Sequence, residues 1–296
     1  MQVIDAHCHL WSLGEGNYPW LERPRPNLLG DYSPLARDFL VDDLRRVAAE
    51  AGVELLGAVH VEADARDSLA ETRWLAKVIE EQREQGISPL PSGLSVYLDL
   101  CAEDAEAALD AQLALSPMIR GVRQILNVHA DPRYDYVGRH YLREPAWQRR
   151  LLFELQLYPS QMAEAATLAA RHPGLVMMVN HAGMYVDRDG PRGWREWRDG
   201  LRLLAACPNV AIKLSGFGML DHGWTLDSLR PLVFEAIDAF GVERCLFASN
   251  FPVDGLYASY AQIWHGYDRL LQDTAPGERH AMFVGNSRRY YRLQEA

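Results

Sequence analysis

The chain has 296 residues, 48% of them hydrophobic and 24% charged, with a formal charge of −10 and a pI near 5.5. Eight Trp and thirteen Tyr are enough to fill a core and line a pocket, which excludes a disordered chain. The negative balance would repel phosphate backbones and anionic lipid, so nucleic acid and membrane surfaces are set aside and a small-molecule partner is expected.

The chain enters an apolar strand at once, Val3-Ile4-Asp5-Ala6, without a basic leader and a long apolar run. No stretch approaches the roughly 20 apolar residues of a membrane span, so a cytoplasmic enzyme is the expectation, with a homo-oligomer left open. Four cysteines, at 8, 101, 207 and 245, show no CxxC spacing and read as buried free thiols. Cys8, between two histidines on a strand, points to the opposite face and should pack outward.

In chain order the pattern alternates. A strand over 3–9 (VIDAHCH) leads into an aromatic and Pro-rich insertion over about 10–40, then a helix over 41–51. Strand 55–62 precedes helix 65–85, strand 94–100 precedes helix 102–114, and strand 119–126 precedes a second insertion over 127–142 and a helix over 143–150. Strand 151–157 is followed by helix 160–171, strand 175–181 by helix 195–206, strand 209–215 by helix 226–240, and strand 245–250 by a closing helix over 277–294. Asp104 and Ser160 are candidate caps, and Gly86 and Pro173 candidate stops. Strand and helix alternating eight times over one unbroken domain, 1–296, predict an α/β fold, a single (β/α)8 TIM barrel.

In such a barrel the loops after the strands carry the chemistry. His7 and His9 are two apart on a strand and share a face, so they project together into the barrel mouth. Two imidazoles at that spacing hold a divalent metal or polarise a carbonyl oxygen. His181, Asn250, Arg123 and Lys213 all fall at or near predicted strand ends on the same rim. Polar groups there are costly to bury without a task.

The segments IDAHCHLW with YPWL, RGVRQIL, FELQLYP, VNHAG, NVAIKLSG, LFASNFPVD and FVGNSRRYYRL, in this order, resemble the fuconolactonase-like and pyrone dicarboxylate lactonase-like branch of the amidohydrolase superfamily. The resemblance implies a TIM-barrel hydrolase of the metal-dependent-hydrolase type that opens a sugar-acid or aromatic ring-cleavage lactone. It implies that His7, His9 and His181 surround the ester carbonyl and form the candidate metal set. It also implies an Asp closing strand eight as the base, where this chain has Asn250.

An amide cannot be a general base, so three readings stay open: Asp254 or His181 takes over, hydrolysis is lost and binding kept, or Asp254 merely caps a turn. The chain also lacks a strand-five His, carrying Gln156 and Tyr158 there, and has no strand-four Lys. No cofactor is therefore required, or one divalent ion such as Zn²⁺ is held. Arg123 suits a substrate carboxylate, with an internal ion pair to Glu62 or Glu154 as its other reading. Tyr158, Trp11 and Tyr18 are candidate walls, and His222 the one loop histidine placed to reach substrate. A metal-dependent amidohydrolase or decarboxylase and a non-catalytic binding barrel are the alternatives to lactone hydrolysis.

Overall fold

The computed structural model describes residues 1–25, 27–100, 102–125, 150–188 and 190–294. Strands β1 (Gln2–Cys8), β2 (Glu54–Val61), β3 (Gly93–Tyr97), β4 (Ile119–Ile125), β5 (Leu152–Gln156), β6 (Met177–Val179), β7 (Val210–Leu214) and β8 (Cys245–Phe247) form one parallel sheet in sequential order. Parallel strands covered on both faces read as continuous apolar runs, and β6, β7 and β8 are buried at every position. Just past β8, a bridge between Cys8 and Phe251 and the bonds Asn250 N–H to His7 O and His9 N–H to Phe251 O, both 2.8 Å, close the sheet into a (β/α)8 barrel.

Among the described residues the expected helices form, most with shifted ends. The second begins at Ser68 because Asp67 caps it, accepting from Ala70 N at 3.0 Å, and it stops before Gly86 at φ +70. The helix expected from 195 begins at Pro191, a proline in the first turn where its missing N–H costs nothing. Asp104 stands at a helix N-cap without a side-chain bond, and Ser160 lies inside a single 3-10 turn, so neither caps as expected.

Helix Tyr260–Leu270 was not expected. Its apolar face, Ile263, Trp264, Tyr267 and Leu270, is interrupted by Gly266, yet Ser259 and Gln262 form a full capping box in front of it. The closing helix is in three pieces, Pro276–His280, a π-turn Ala281–Gly285 and Asn286–Tyr291. The wide turn lets Met282, Phe283 and Val284 bury together and sends Tyr291 into the barrel.

The first insertion folds back on itself, with Trp11 and Phe39 exchanging backbone hydrogen bonds at 3.0 and 2.9 Å. The second insertion, the helix expected over 143–150, Cys101, His129 and His140 lie outside the described residues. Cys8, Cys207 and Cys245 are free thiols, and Cys8 is buried with its Sγ 3.5 Å from Val59 O. No helix among the described residues is long and apolar enough to cross a membrane.

Asp5 fastens the closure. Its carboxylate accepts from Ser249 N at 2.9 Å, Tyr260 OH at 3.1 Å, His7 N at 3.3 Å and the Ser249 hydroxyl, so β1, the β8 loop and the unexpected helix meet on one side chain. Burial pushes its carboxyl up while these bonds pull it down. Asp5→Ala strands four donors and should lower the unfolding free energy by about 3 kcal/mol, read from denaturant midpoints at constant m.

Candidate active site

β1 presents His7 and His9 side by side, as their spacing requires. Their Nε2 atoms are 3.2 Å apart. His9 Nδ1 lies 2.8 Å from Val61 O, and a carbonyl only accepts, so that nitrogen carries the proton and Nε2 is a bare acceptor. The outer nitrogen of His7 meets a different group: Nδ1 lies 3.3 Å from Lys213 Nζ on β7.

His181 follows β6 in a run of left-handed residues, His181 at φ 53, Ala182 at 49, Gly183 at 73 and Met184 at 52. Such conformations cost non-glycine residues free energy and cluster at functional sites. The run is pinned by Trp197 Nε1 donating to Ala182 O at 2.7 Å and by the 3.2 Å contact of His181 Nδ1 with Ser215 Oγ. Gly216, at φ +70, is required beside it, because a Cβ there would stand 2.5 Å from His181 Nδ1. The ring centre of His181 lies 4.6 Å from that of His7.

Asn250, also left-handed at φ 53, donates through Nδ2 to Asp254 Oδ1 at 3.0 Å, and its Oδ1 lies 3.3 Å from His9 Nε2 as a contact of two acceptors, with no proton between them. Asp254 takes a second bond from Gly218 N at 3.2 Å and is 2% exposed. It does not line the cavity and is held by Asn250, Gly218 and the Met219 backbone. Burial pushes its carboxyl up to about 7. All three imidazoles are pushed well below the ordinary histidine range, first by burial and then by the Lys213 and Arg123 cations, so they are neutral at pH 7.

A cavity of about 330 Å³ opens at this end of the barrel. His9, His181, Asn250 and Arg123 line its polar side; Trp11, Trp20, Tyr158, Met184 and Met219 line its apolar side. Tyr18 is not among its walls, being buried with its hydroxyl on Glu71 at 3.2 Å, and Trp20 takes that place, 5.6 Å from Trp11. His222 stays behind the wall. It stacks on Tyr257 at 3.8 Å and bonds Leu28 O at 3.3 Å, holding the loop whose Leu28 and Leu29 cover the cavity.

Arg123 is tied to Glu62, Nε to Oε1 at 2.6 Å, and reaches Gln156 Oε1 at 3.0 Å. Its charge is thereby cancelled, though two of its N–H groups remain for a substrate oxygen. Burial pushes the Glu62 carboxyl up and Arg123 holds it down. Lys213 pairs with the buried Glu154 at 2.7 Å, a partner that the lone acid in the apolar run LLFELQL signals.

A metal-bound imidazole keeps its other N–H on a carboxylate, carbonyl or water. His9 meets that condition and His7, facing an ammonium, does not. The 3.2 Å separation of the two Nε2 atoms suits a hydrogen bond as well as the edge of a zinc tetrahedron, so it does not decide. Among the described residues no three His, Cys, Asp or Glu side chains converge to hold an ion, so the trio His7, His9 and His181 is not assembled as a ligand set. The donor set does not fit a resident divalent metal.

The amidohydrolase family model matches residues 4–293. The chain is 37% identical over 303 positions to the uncharacterized protein y4mH of Sinorhizobium fredii, with 98% of each covered. It is 28% identical to the L-fucono-1,5-lactonase of Burkholderia multivorans, over 99% of this chain and 96% of that one. A solved amidohydrolase structure from Burkholderia multivorans, with bound Zn, superimposes with a TM-score of 0.81 at 26% identity, covering 99% of this chain and 100% of the other.

The raised Asp254 carboxyl makes a stability prediction with a definite sign. The folded state binds the proton more tightly than the unfolded chain, so this group's stabilisation is full below about pH 4 and is lost as pH rises to about 7. Asp254→Asn should therefore raise stability by an amount that grows over that window and levels off above it, reaching roughly 2 to 4 kcal/mol. Melting curves of both proteins at pH 4, 5.5, 7 and 8.5 measure it; a gain that shrinks with rising pH contradicts it.

Proposed function

Because the chain belongs to the amidohydrolase family, we propose that it is a hydrolase that opens a small lactone by attack of water on the ester carbonyl. The observation that carries this reading is the pair His9 and His181 on the polar side of a largely apolar cavity, with His7 packed against both, its Nε2 3.2 Å from His9 Nε2 and its ring centre 4.6 Å from that of His181. The 28% identity with an L-fucono-1,5-lactonase supports it.

The lactone ring packs between Trp11, Trp20 and Tyr158, with the carbonyl turned to the histidines. His7 polarises the carbonyl and stabilises the oxyanion through its ring N–H, while His9, whose Nε2 is an acceptor, holds that N–H in the resting site. His181, neutral at pH 7 and with Nδ1 on Ser215, accepts the proton of the attacking water. Asn250 orients that water and Asp254 holds Asn250. As the C–O bond of the tetrahedral intermediate breaks, the His181 imidazolium returns that proton to the ring oxygen, which leaves as a hydroxyl tethered to the product, and His181 is neutral again. The neutralised Arg123 supplies N–H donors to a hydroxyl or carbonyl oxygen, which favours an uncharged sugar-derived lactone over a dicarboxylate. No step requires a metal.

A panel of aldonolactones and muconolactone, followed by a pH indicator at low buffer, should reveal acid release from at least one; none from any overturns the reading. On that substrate His181→Ala should lower kcat by about 10² to 10³-fold. For the native enzyme kcat/KM should be level from about pH 7 to pH 6.5 and fall below that as the depressed imidazoles take up protons. A loss centred above pH 7 contradicts the role given to His181.

A further inference from the structure

Lys213 is 0% exposed inside the barrel. It lies 2.7 Å from one Glu154 oxygen and 2.8 Å from the other, with the Tyr291 ring centre 5.2 Å from its Nζ. Glu154 also accepts from Tyr291 OH and Asn180 Nδ2, both at 2.6 Å. The carboxylate is thus fixed by three donors from three elements, and it holds the ammonium in place. β1, β5 and β7 are odd-numbered strands, and alternate strands of an eight-stranded barrel fill the same interior layer, which is why His7, Glu154 and Lys213 meet.

An ammonium has three donors and no acceptor. Facing His7 Nδ1 at 3.3 Å, it allows one arrangement: Nδ1 accepts, and the ring proton sits on Nε2. That proton points at His9 Nε2, 3.2 Å away, which is bare because His9 Nδ1–H is on Val61 O. Donors and acceptors then run one way, Lys213 to His7 to His9 to Val61.

We infer that Lys213 is a positioning residue that fixes His7 in the Nε2–H tautomer, so that His7 presents a donor to His9, which lines the cavity, instead of a second metal-ligating lone pair. The N–H of His7 stabilises the developing oxyanion. The acceptor of His9 receives it in the resting site and releases it when the carbonyl arrives. This catalytic use rests on the lactone-hydrolase reading; the tautomer does not.

Burial lowers the Lys213 ammonium to about 8, with Glu154 holding it up, so it is charged at pH 7. The cluster uses residues from β5, the turn after β6, β7 and the final helix, Glu154, Asn180, Lys213 and Tyr291, to set one proton on β1.

Two-bond nitrogen–proton spectra of protein labelled with ¹⁵N-histidine, at pH 7, read the tautomer, with His7 assigned by the signal lost in His7→Asn. The expected result is a proton on Nε2 and a bare Nδ1. A proton on Nδ1 of His7 in the native protein overturns the inference. In Lys213→Met/Glu154→Gln, which removes both charges together, the Nδ1–H form should appear and kcat should fall about tenfold to a hundredfold while KM moves less than about threefold. An unchanged tautomer in the folded double variant also overturns it. If the tautomer behaves as expected but no lactone is turned over, the inference stands and the lactonase reading alone fails.

Discussion

The Lys213–Glu154 pair is enclosed by the barrel, and much of the site is arranged to make that burial tolerable. Removing two charges from water costs several kcal/mol per ion, and Coulomb attraction offsets this only when the remaining hydrogen-bonding capacity is filled. Tyr291, Asn180 and His7 fill it. The π-turn that breaks the closing helix follows from the same need, since it precedes the short helix that brings Tyr291 to Glu154. A pair held this way is a fixed point from which the proton on His7, and through it the acceptor on His9, is set.

Around that fixed point the backbone is strained. His181, Ala182, Met184 and Asn250 all have positive φ. Each such residue costs on the order of 1 to 3 kcal/mol, and the neighbours that enforce the conformation are identifiable. Trp197 anchors the turn after β6, Gly216 makes room for the His181 ring, and the backbone bond from Asn250 to His7 ties the β8 loop to β1. The groups that face the substrate are therefore placed by barrel closure, which leaves them little freedom to adjust and keeps them organised before a ligand arrives.

The barrel was legible because its signal is local. Eight apolar runs, each largely buried, need no knowledge of their partners, and the spacing of His7 and His9 places both on one face. What escaped depends on contacts far apart in sequence. Helix Tyr260–Leu270 hid because its apolar face is aromatic and broken by Gly266. His222 was expected at the substrate because it follows β7, whereas it braces a wall by stacking on Tyr257. Arg123 was read evenly between a substrate carboxylate and an internal ion pair; it makes the pair with Glu62 and still lines the cavity. Asp254, the expected relay for the missing strand-eight acid, sits behind Asn250, since four residues along a tight loop lead back under the site and not into it. Lys213 stands at a predicted strand end, but that its third donor reaches a histidine 206 positions away has no trace in the local sequence.

Fold and family thus speak for a hydrolase, and the chemistry turns on whether the histidine pair is a chelate or a donor and an acceptor. The most direct measurement is the rate of lactone hydrolysis, with metal content by elemental analysis, before and after dialysis against a strong chelator and again after zinc is added back. The account predicts a rate within about twofold in all three states. A rate abolished by the chelator and restored by one equivalent of zinc would contradict it.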